Sequence, residues 1–177
     1  MVQFRAADNT LISVRPMQRD DAPYLIEIFG GLGEDSRYRR FNQWLANIDD
    51  DRIWLEAERI AQSTVGTGCG LLAFADLPEI ENTPVGGVRY IRTNSEEAEL
   101  AVSVTDEFQG LGIGTQLVQI IIEEARKEGI KRLIGVLQVD NAPIWGLMRK
   151  LDDFYEVSRV QDGTTTYVTI HLDKPIK

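Results

Sequence analysis

The 177-residue chain predicts an α/β (α+β) fold: a mixed, mostly antiparallel sheet with helices packed against it. Three observations carry this prediction. Strand-like and helix-like stretches follow one another in the order β-α-α-α-β-β-β-α-β-α-β-β. Residues 84–92 and 97–104 both alternate apolar and polar side chains, the pattern of neighbouring antiparallel strands. The second of these runs directly into a glycine-rich turn that opens a long amphipathic helix.

Each element has a local reason. Residues 10–15 form a strand that stops at Pro16. A helix follows over 18–29, with Tyr24, Leu25, Ile28 and Phe29 on one face, and glycines at 30, 31 and 33 end it. Ser36 is the expected cap of a second helix reaching about residue 46. A third helix spans 50–61. Asp49, Asp50 and Asp51 suit its positive end, and Ile53, Trp54, Ala57, Ile60 and Ala61 form its apolar stripe. Residues 69–75 are a short apolar strand, and 78–84 a turn-rich loop. The helix after the glycine turn covers 115–127 and closes at Gly129. A buried strand at 131–139 leads to a short helix at 142–150, which tolerates Pro143 in its first turn. Strands at 154–160 and 164–172 make a last hairpin around Asp162-Gly163. No linker or repeat divides the chain, so residues 1–177 are expected to form a single domain.

Composition narrows function. Nineteen Lys and Arg against 28 Asp and Glu leave a net charge of −9. Such a surface repels phosphate backbones and anionic lipids, so neither a nucleic acid nor a membrane is the expected partner. Cys69 is the only cysteine and His171 the only histidine, which excludes an internal disulfide and a cysteine-built zinc site; no metal is expected. His171 lies in an alternating stretch and reads as a strand histidine. No signal-like N-terminus or membrane-length apolar run is present, so a reducing cytoplasm is the expected location.

The informative segment is the turn Gln109-Gly110-Leu111-Gly112-Ile113-Gly114-Thr115. Glycines on alternate residues let the main chain approach a ligand, and the free N–H groups of a helix start attract an anion. Pyrophosphate is the natural occupant. A dinucleotide turn would need a third glycine where Thr115 stands, and a triphosphate loop would need a Lys-Ser or Lys-Thr pair that is absent. What remains is Gln-x-x-Gly-x-Gly, which resembles the coenzyme A loop of the GNAT superfamily of N-acetyltransferases. The order of elements agrees over about residues 10–172. More narrowly, Leu11-Ile-Ser-Val-Arg-Pro16, Glu34-Asp-Ser-Arg-Tyr-Arg-Arg-Phe41, Gly87-Val-Arg-Tyr90, Ala98-Glu-Leu-Ala-Val102 and Asp140-Asn-Ala-Pro143 resemble the acetyltransferase domain of bacterial Pat-type protein lysine acetyltransferases.

The resemblance implies a GNAT fold whose sheet splays between the fourth and fifth strands, with helices on both faces. It implies acetyl-CoA as acyl donor, with pyrophosphate on Gln109–Thr115. Main-chain groups of Val102, Ser103 and Val104 would meet the pantetheine arm and offer an oxyanion site. Asn141 either reaches the pantetheine or simply caps the helix it begins. The acceptor is then a primary amine, with a protein lysine as the leading expectation. A small amine such as a polyamine, amino acid or antibiotic, or a coenzyme A sensor without turnover, are the alternatives.

Only about one lysine amine in 10³ is neutral at pH 7, so a general base is required. The resemblance implies Glu99 as that base: it lies in the strand feeding the turn, as the corresponding glutamate of Pat-type domains does, and an expected partial burial would raise its pKa. Glu97, two residues away on the same face, is its understudy. Many GNAT enzymes carry a tyrosine where Met148 stands here; Pat-type domains commonly lack it, and Tyr155 is expected to pack instead. Lys150-Leu-Asp-Asp-Phe154 is one residue longer than the usual motif and lacks its glycine. A covalent route through Cys69 is disfavoured because an apolar strand keeps the thiol protonated. Arg37, Arg39 and Arg40 form a basic patch that either meets an anion or lies on a solvated helix face.

Overall fold

The computed structural model describes residues 1–41, 49–78 and 80–174, with only the main chain at Val65. Two strands, β1 (Val2–Arg5) and β2 (Leu11–Pro16), lead into helices α1 (Ala22–Gly30), α2 (Glu34–Phe41) and α3 (Asp50–Thr67). Strands β3 (Gly68–Ala75), β4 (Thr83–Arg92) and β5 (Glu97–Val104) follow, and a single 3-10 turn then precedes α4 (Ile113–Lys127). The described chain ends in β6 (Arg132–Gln138), α5 (Ala142–Asp152), β7 (Glu156–Asp162) and β8 (Thr165–His171). The eight strands lie in the order β1-β2-β3-β4-β5-β6-β8-β7, and β5-β6 is the parallel pair.

The predicted class and most elements hold, with shifts that have local causes. β1 was not expected: a turn with Asn9 at φ 72° folds it back onto β2, pairing Phe4 with Ile12. α1 starts at Ala22 rather than residue 18, because Pro23 belongs to its first turn and Asp21 accepts from the Gln18 N–H. Ser36 does not cap α2 but lies inside it; the expected continuation over 42–46 falls outside the described residues. α3 runs six residues beyond its expected end. Ser63, Thr64 and Thr67 bond their hydroxyls to carbonyls one turn back, so three poor helix formers are accommodated. Its buried stripe runs through Ala57, Ala61 and Thr64, whereas Trp54 is turned outward and 45% exposed.

Helices cover both faces of the sheet, and side-chain alternation divides the core accordingly. Leu71, Ala73 and Ala75 of β3 pack with Leu117, Ile121 and Ile122 of α4 on one face. Leu72 and Phe74 pack with Ile28 of α1 and Ala61 of α3 on the other. The lengthened Lys150–Phe154 segment resolves simply: α5 continues to Asp152, Phe154 is exposed, and Tyr155 takes the buried place, as expected for packing.

The feature that matters for function is a gap. β5 and β6 pair only at Glu97–Arg132, Ala98–Leu133 and Glu99–Ile134, then diverge. From Leu100 to Val104, the edge of β5 facing β6 has no strand partner among the described residues.

Candidate active site

A cleft of about 590 Å³ opens where β5 and β6 separate. Val102, Ser103 and Val104 form one wall, and Gly135 to Gln138 of β6 the other. The first turn of α4 closes one end, through Gly110, Gly112, Ile113, Gly114 and Thr115. Gly110 and Gly112 adopt φ of +77° and +85°, a region that side chains other than glycine rarely enter. Nothing lies within 4 Å of where a Cβ would stand on either glycine. Gly112 caps α4 without a side chain, leaving the first-turn N–H groups for a ligand. Open space before a helix start fits a phosphate group, and an unpaired strand edge fits the amides of a pantetheine arm.

The other expected contacts divide. The Gln109 side chain donates to the Val104 carbonyl at 3.0 Å, to Asp106 Oδ1 at 2.9 Å and to Ser36 Oγ at 3.3 Å, so it ties the turn to β5 and α2. Leu111 does not line the cleft; its carbonyl accepts from the Ala7 N–H, anchoring the turn to the β1-β2 hairpin. Asn141 lines the cleft and also caps α5, accepting from the Ile144 N–H at 3.3 Å.

The two glutamates on β5 separate sharply. Glu99 lines the cleft at the last paired position before the gap. It is exposed, not partly buried as expected, because its face of β5 looks away from α4 toward the open cleft. Glu97 does not line the cleft. Arg132 Nε donates to it at 2.6 Å and Asn94 Nδ2 at 2.7 Å, and these bonds hold its carboxyl below the ordinary range. A carboxylate so engaged is a poor base. His171 bonds Ser158 on β7, and Met148 is buried in the core beside α4. Burial, followed by the nearby Glu124 and Glu128, pushes the Cys69 thiol up and keeps it protonated.

A second cavity, of about 520 Å³, lies on the Glu99 face of the sheet. Leu25, Ile28 and Phe29 of α1 and Ile53, Ala57 and Ile60 of α3 give it an apolar lining. It meets the first cleft at a charged cluster: Arg40, Glu56, Arg59 and Arg89 line both. Arg40 belongs to the basic patch, and a solvated face is the wrong description of it. Its Nε donates to Ser103 Oγ at 2.9 Å. Burial, and next the positive charge of Arg89, pushes its guanidinium down to about 10. Glu56, Arg59 and Arg89 were not foreseen as site residues. The signal available was Glu56 and Arg59 on the α3 turn that carries Ala57 and Ile60 into the core, and Arg89 between Val88 and Tyr90.

The comparisons with known proteins agree with this geometry. Residues 12–152 match the family model of the acetyltransferase (GNAT) domain. An L-methionine sulfoximine/L-methionine sulfone acetyltransferase of Pseudomonas paraeruginosa is 25% identical over 154 residues, covering 82% of this chain and 81% of that protein. Among solved structures, the GNAT domain of S. lividans PAT superposes with a TM-score of 0.80 at 22% identity over 96% of both chains. YncA of Salmonella typhimurium, solved with its cofactor acetyl-CoA, superposes with a TM-score of 0.62 at 22% identity, over 92% of this chain and 95% of that one. A family model spanning most of the chain, on a sheet splayed as that family requires, makes this protein a member of the GNAT acetyltransferases and an N-acetyltransferase that takes its acetyl group from acetyl-CoA.

Proposed function

We propose that residues 1–177 act as one catalytic domain that acetylates the primary amine of a small molecule, with Glu99 as general base. The observation that carries this is the position of Glu99. It is the last β5 residue paired with β6, and the open strand edge begins at the next residue. A carboxylate there stands beside the cleft that fits the donor and beside the passage to the second cavity.

Bound acetyl-CoA supplies a thioester-activated acetyl group. The chain supplies the rest. Gly110 to Thr115 hold the anionic end through main-chain N–H groups, which lets a chain of net charge −9 bind an anion without depending on cationic side chains at that turn. The edge of β5 over Leu100–Val104 orients the arm and gives an N–H for negative charge developing on the carbonyl oxygen. Glu99 takes the proton from the incoming ammonium, directly or through water. The buried Met148 cannot donate a proton, so the thiolate, with a pKa near ~8.5, collects its proton from water.

A small acceptor is supported by the second cavity, which lies between the sheet and helices α1 and α3 and is of ordinary ligand size. The related Pseudomonas acetyltransferase, whose substrates are the small molecules L-methionine sulfoximine and L-methionine sulfone, points the same way. A protein lysine is the second reading, favoured by the acidic surface, which attracts a cationic peptide. Thiol release from acetyl-CoA, measured with a panel of small amines and with a lysine peptide, decides between them. Turnover of small amines supports the proposal. Turnover of the peptide alone, slowed strongly by salt, overturns it. Binding of acetyl-CoA with no turnover for any acceptor returns the protein to a sensor.

A further inference from the structure

We infer that Arg40, Arg59 and Arg89 form a seat for a carboxylate on the acceptor, so that the enzyme selects amines bearing a carboxylate close to the reacting nitrogen, as in an α-amino acid. This rests on the second cavity being the acceptor compartment.

Three guanidinium groups and the Glu56 carboxylate meet where the two cavities join, and the Glu99 carboxylate lines the first of them. Glu56 is already taken, since Arg59 grips it through Nε at 2.8 Å and Nη2 at 2.5 Å. Glu99 is the remaining carboxylate of the cluster, and it forms no ion pair among the described residues. Arg40 and Arg89 likewise form none among those residues, although both are partly buried. Arg89 Nε is buried without a hydrogen-bond partner among the described residues. Such donors almost always find an acceptor, and an orphaned one in a site calls for a ligand. Burial depresses the guanidinium pKa of Arg89, with Arg59 adding to it, as burial and Arg89 do for Arg40. Each cation is therefore held against both desolvation and its neighbours' charge, and an incoming anion relieves both.

The register fixes what the anion is attached to. Arg89 lies opposite Ala101, and Ile91 lies opposite Glu99, so Arg89 and Glu99 share one face and are diagonal neighbours. Diagonal positions stand roughly 7–8 Å apart at their main chains, within reach of long side chains. A carboxylate on Arg89 and Arg40 places an α-nitrogen toward Glu99, and the rest of the molecule enters the apolar lining from α1 and α3. The same positive charge favours the neutral, nucleophilic form of that amine. A lysine side chain of a peptide has no carboxylate to offer here and brings a cation to a cationic wall.

The test compares L-α-amino acids with their primary amides and their decarboxylated amines in the acetyl-transfer assay. The acid is expected to exceed its amide in kcat/KM by on the order of 10²-fold, the range for losing a charge-assisted pair in a buried site. Arg89→Met should lower kcat/KM for the acid far more than for the amide, collapsing that ratio, and Arg89→Lys should restore part of it. Acetyl-CoA affinity, measured separately, reports whether each variant is folded. Equal rates for acid and amide in the unaltered protein overturn the seat without touching the small-acceptor reading. Equal losses for acid and amide in Arg89→Met also overturn it. Reaction with a lysine peptide alone overturns the reading beneath it, and with it the seat.

Discussion

The two compartments of the active site are built from different materials. The donor cleft is made largely of main chain: an unpaired strand edge, the first turn of α4, and two glycines at positive φ. The second cavity, the proposed acceptor compartment, is made of side chains: arginines from α2, α3 and β4, Glu56 of α3, and apolar residues of α1 and α3, with Glu99 of β5 in the adjoining cleft. The difference follows from what each must recognise. A pyrophosphate and a chain of amides are matched by N–H groups and a helix dipole, and that solution is written in a few consecutive residues. An acceptor is distinguished by its own shape and charge, so its site takes one or two side chains from each of several elements. The donor side can therefore stay fixed while the acceptor side varies, and a common fold does not select a substrate.

Four substitutions would break or sharpen this contrast. The largest effect is expected for Glu99→Gln. Loss of a general base should lower kcat by about 10²–10⁴ while leaving acetyl-CoA affinity unchanged, as measured by calorimetry and steady-state kinetics. A loss of affinity instead would show that Glu99 belongs to the donor side. Next is Asp21→Asn, a fault in the frame that both compartments share. Asp21 is 3% exposed and receives both arms of Arg15, at 2.6 and 2.8 Å, and the Gln18 N–H. Breaking a buried pair should cost about 3 kcal/mol in a denaturant melt, the low end for such pairs because Arg15 is a quarter exposed. Burial raises the Asp21 carboxyl, but the Arg15 and Gln18 bonds outweigh it and hold it below the usual range. Its contribution is thus full above the unfolded pKa of ~3.9 and lost as pH falls through the lower folded value. The Asn variant should lack that acid-side loss.

Gly112→Val should act on the donor side alone. Forcing a β-branched residue to φ +85° costs about 1–3 kcal/mol, or roughly 5- to 150-fold in acetyl-CoA affinity, with KM for the acceptor unchanged. A matching rise in acceptor KM would mean that the compartments are coupled through α4. The smallest effect is expected for Cys69→Ala. Cys69 lines neither cavity, so kcat should be retained, and the native thiol should alkylate slowly at neutral pH. Loss of turnover on that substitution would point to a covalent route and break the assignment of both compartments.

The glycine turn and the strand before it were legible in the sequence because their determinants are local. Gln109 to Thr115 carry their conformation in their own residue types, and β5 ends where its alternation ends. Capping was readable only in part: Asn141 caps α5, one of its two expected roles, and Asp49, noted for its charge, caps α3, but Ser36, the expected cap of α2, lies inside that helix. Local reasoning failed where hydrogen bonds formed across distance. Nothing near Val2–Arg5 announces a strand until the turn at Asn9 brings it to β2. Glu97 and Glu99 look alike two residues apart, yet Arg132, 35 residues away, claims the first and leaves the second at the cleft. Arg40 read equally as an anion contact or as a solvated face until α2 folded against β5, and its neighbours Arg59 and Arg89 come from two further elements. Residue types and their spacing determined the fold class and the glycine turn that opens α4, since short-range main-chain geometry specifies both, and the family resemblance carried by that turn pointed to the acyl donor. Which carboxylate pairs with Arg132, and which cations line the second cavity, only the tertiary structure decided. Those outcomes depend on burial and charge summed over side chains that meet only when the sheet is assembled.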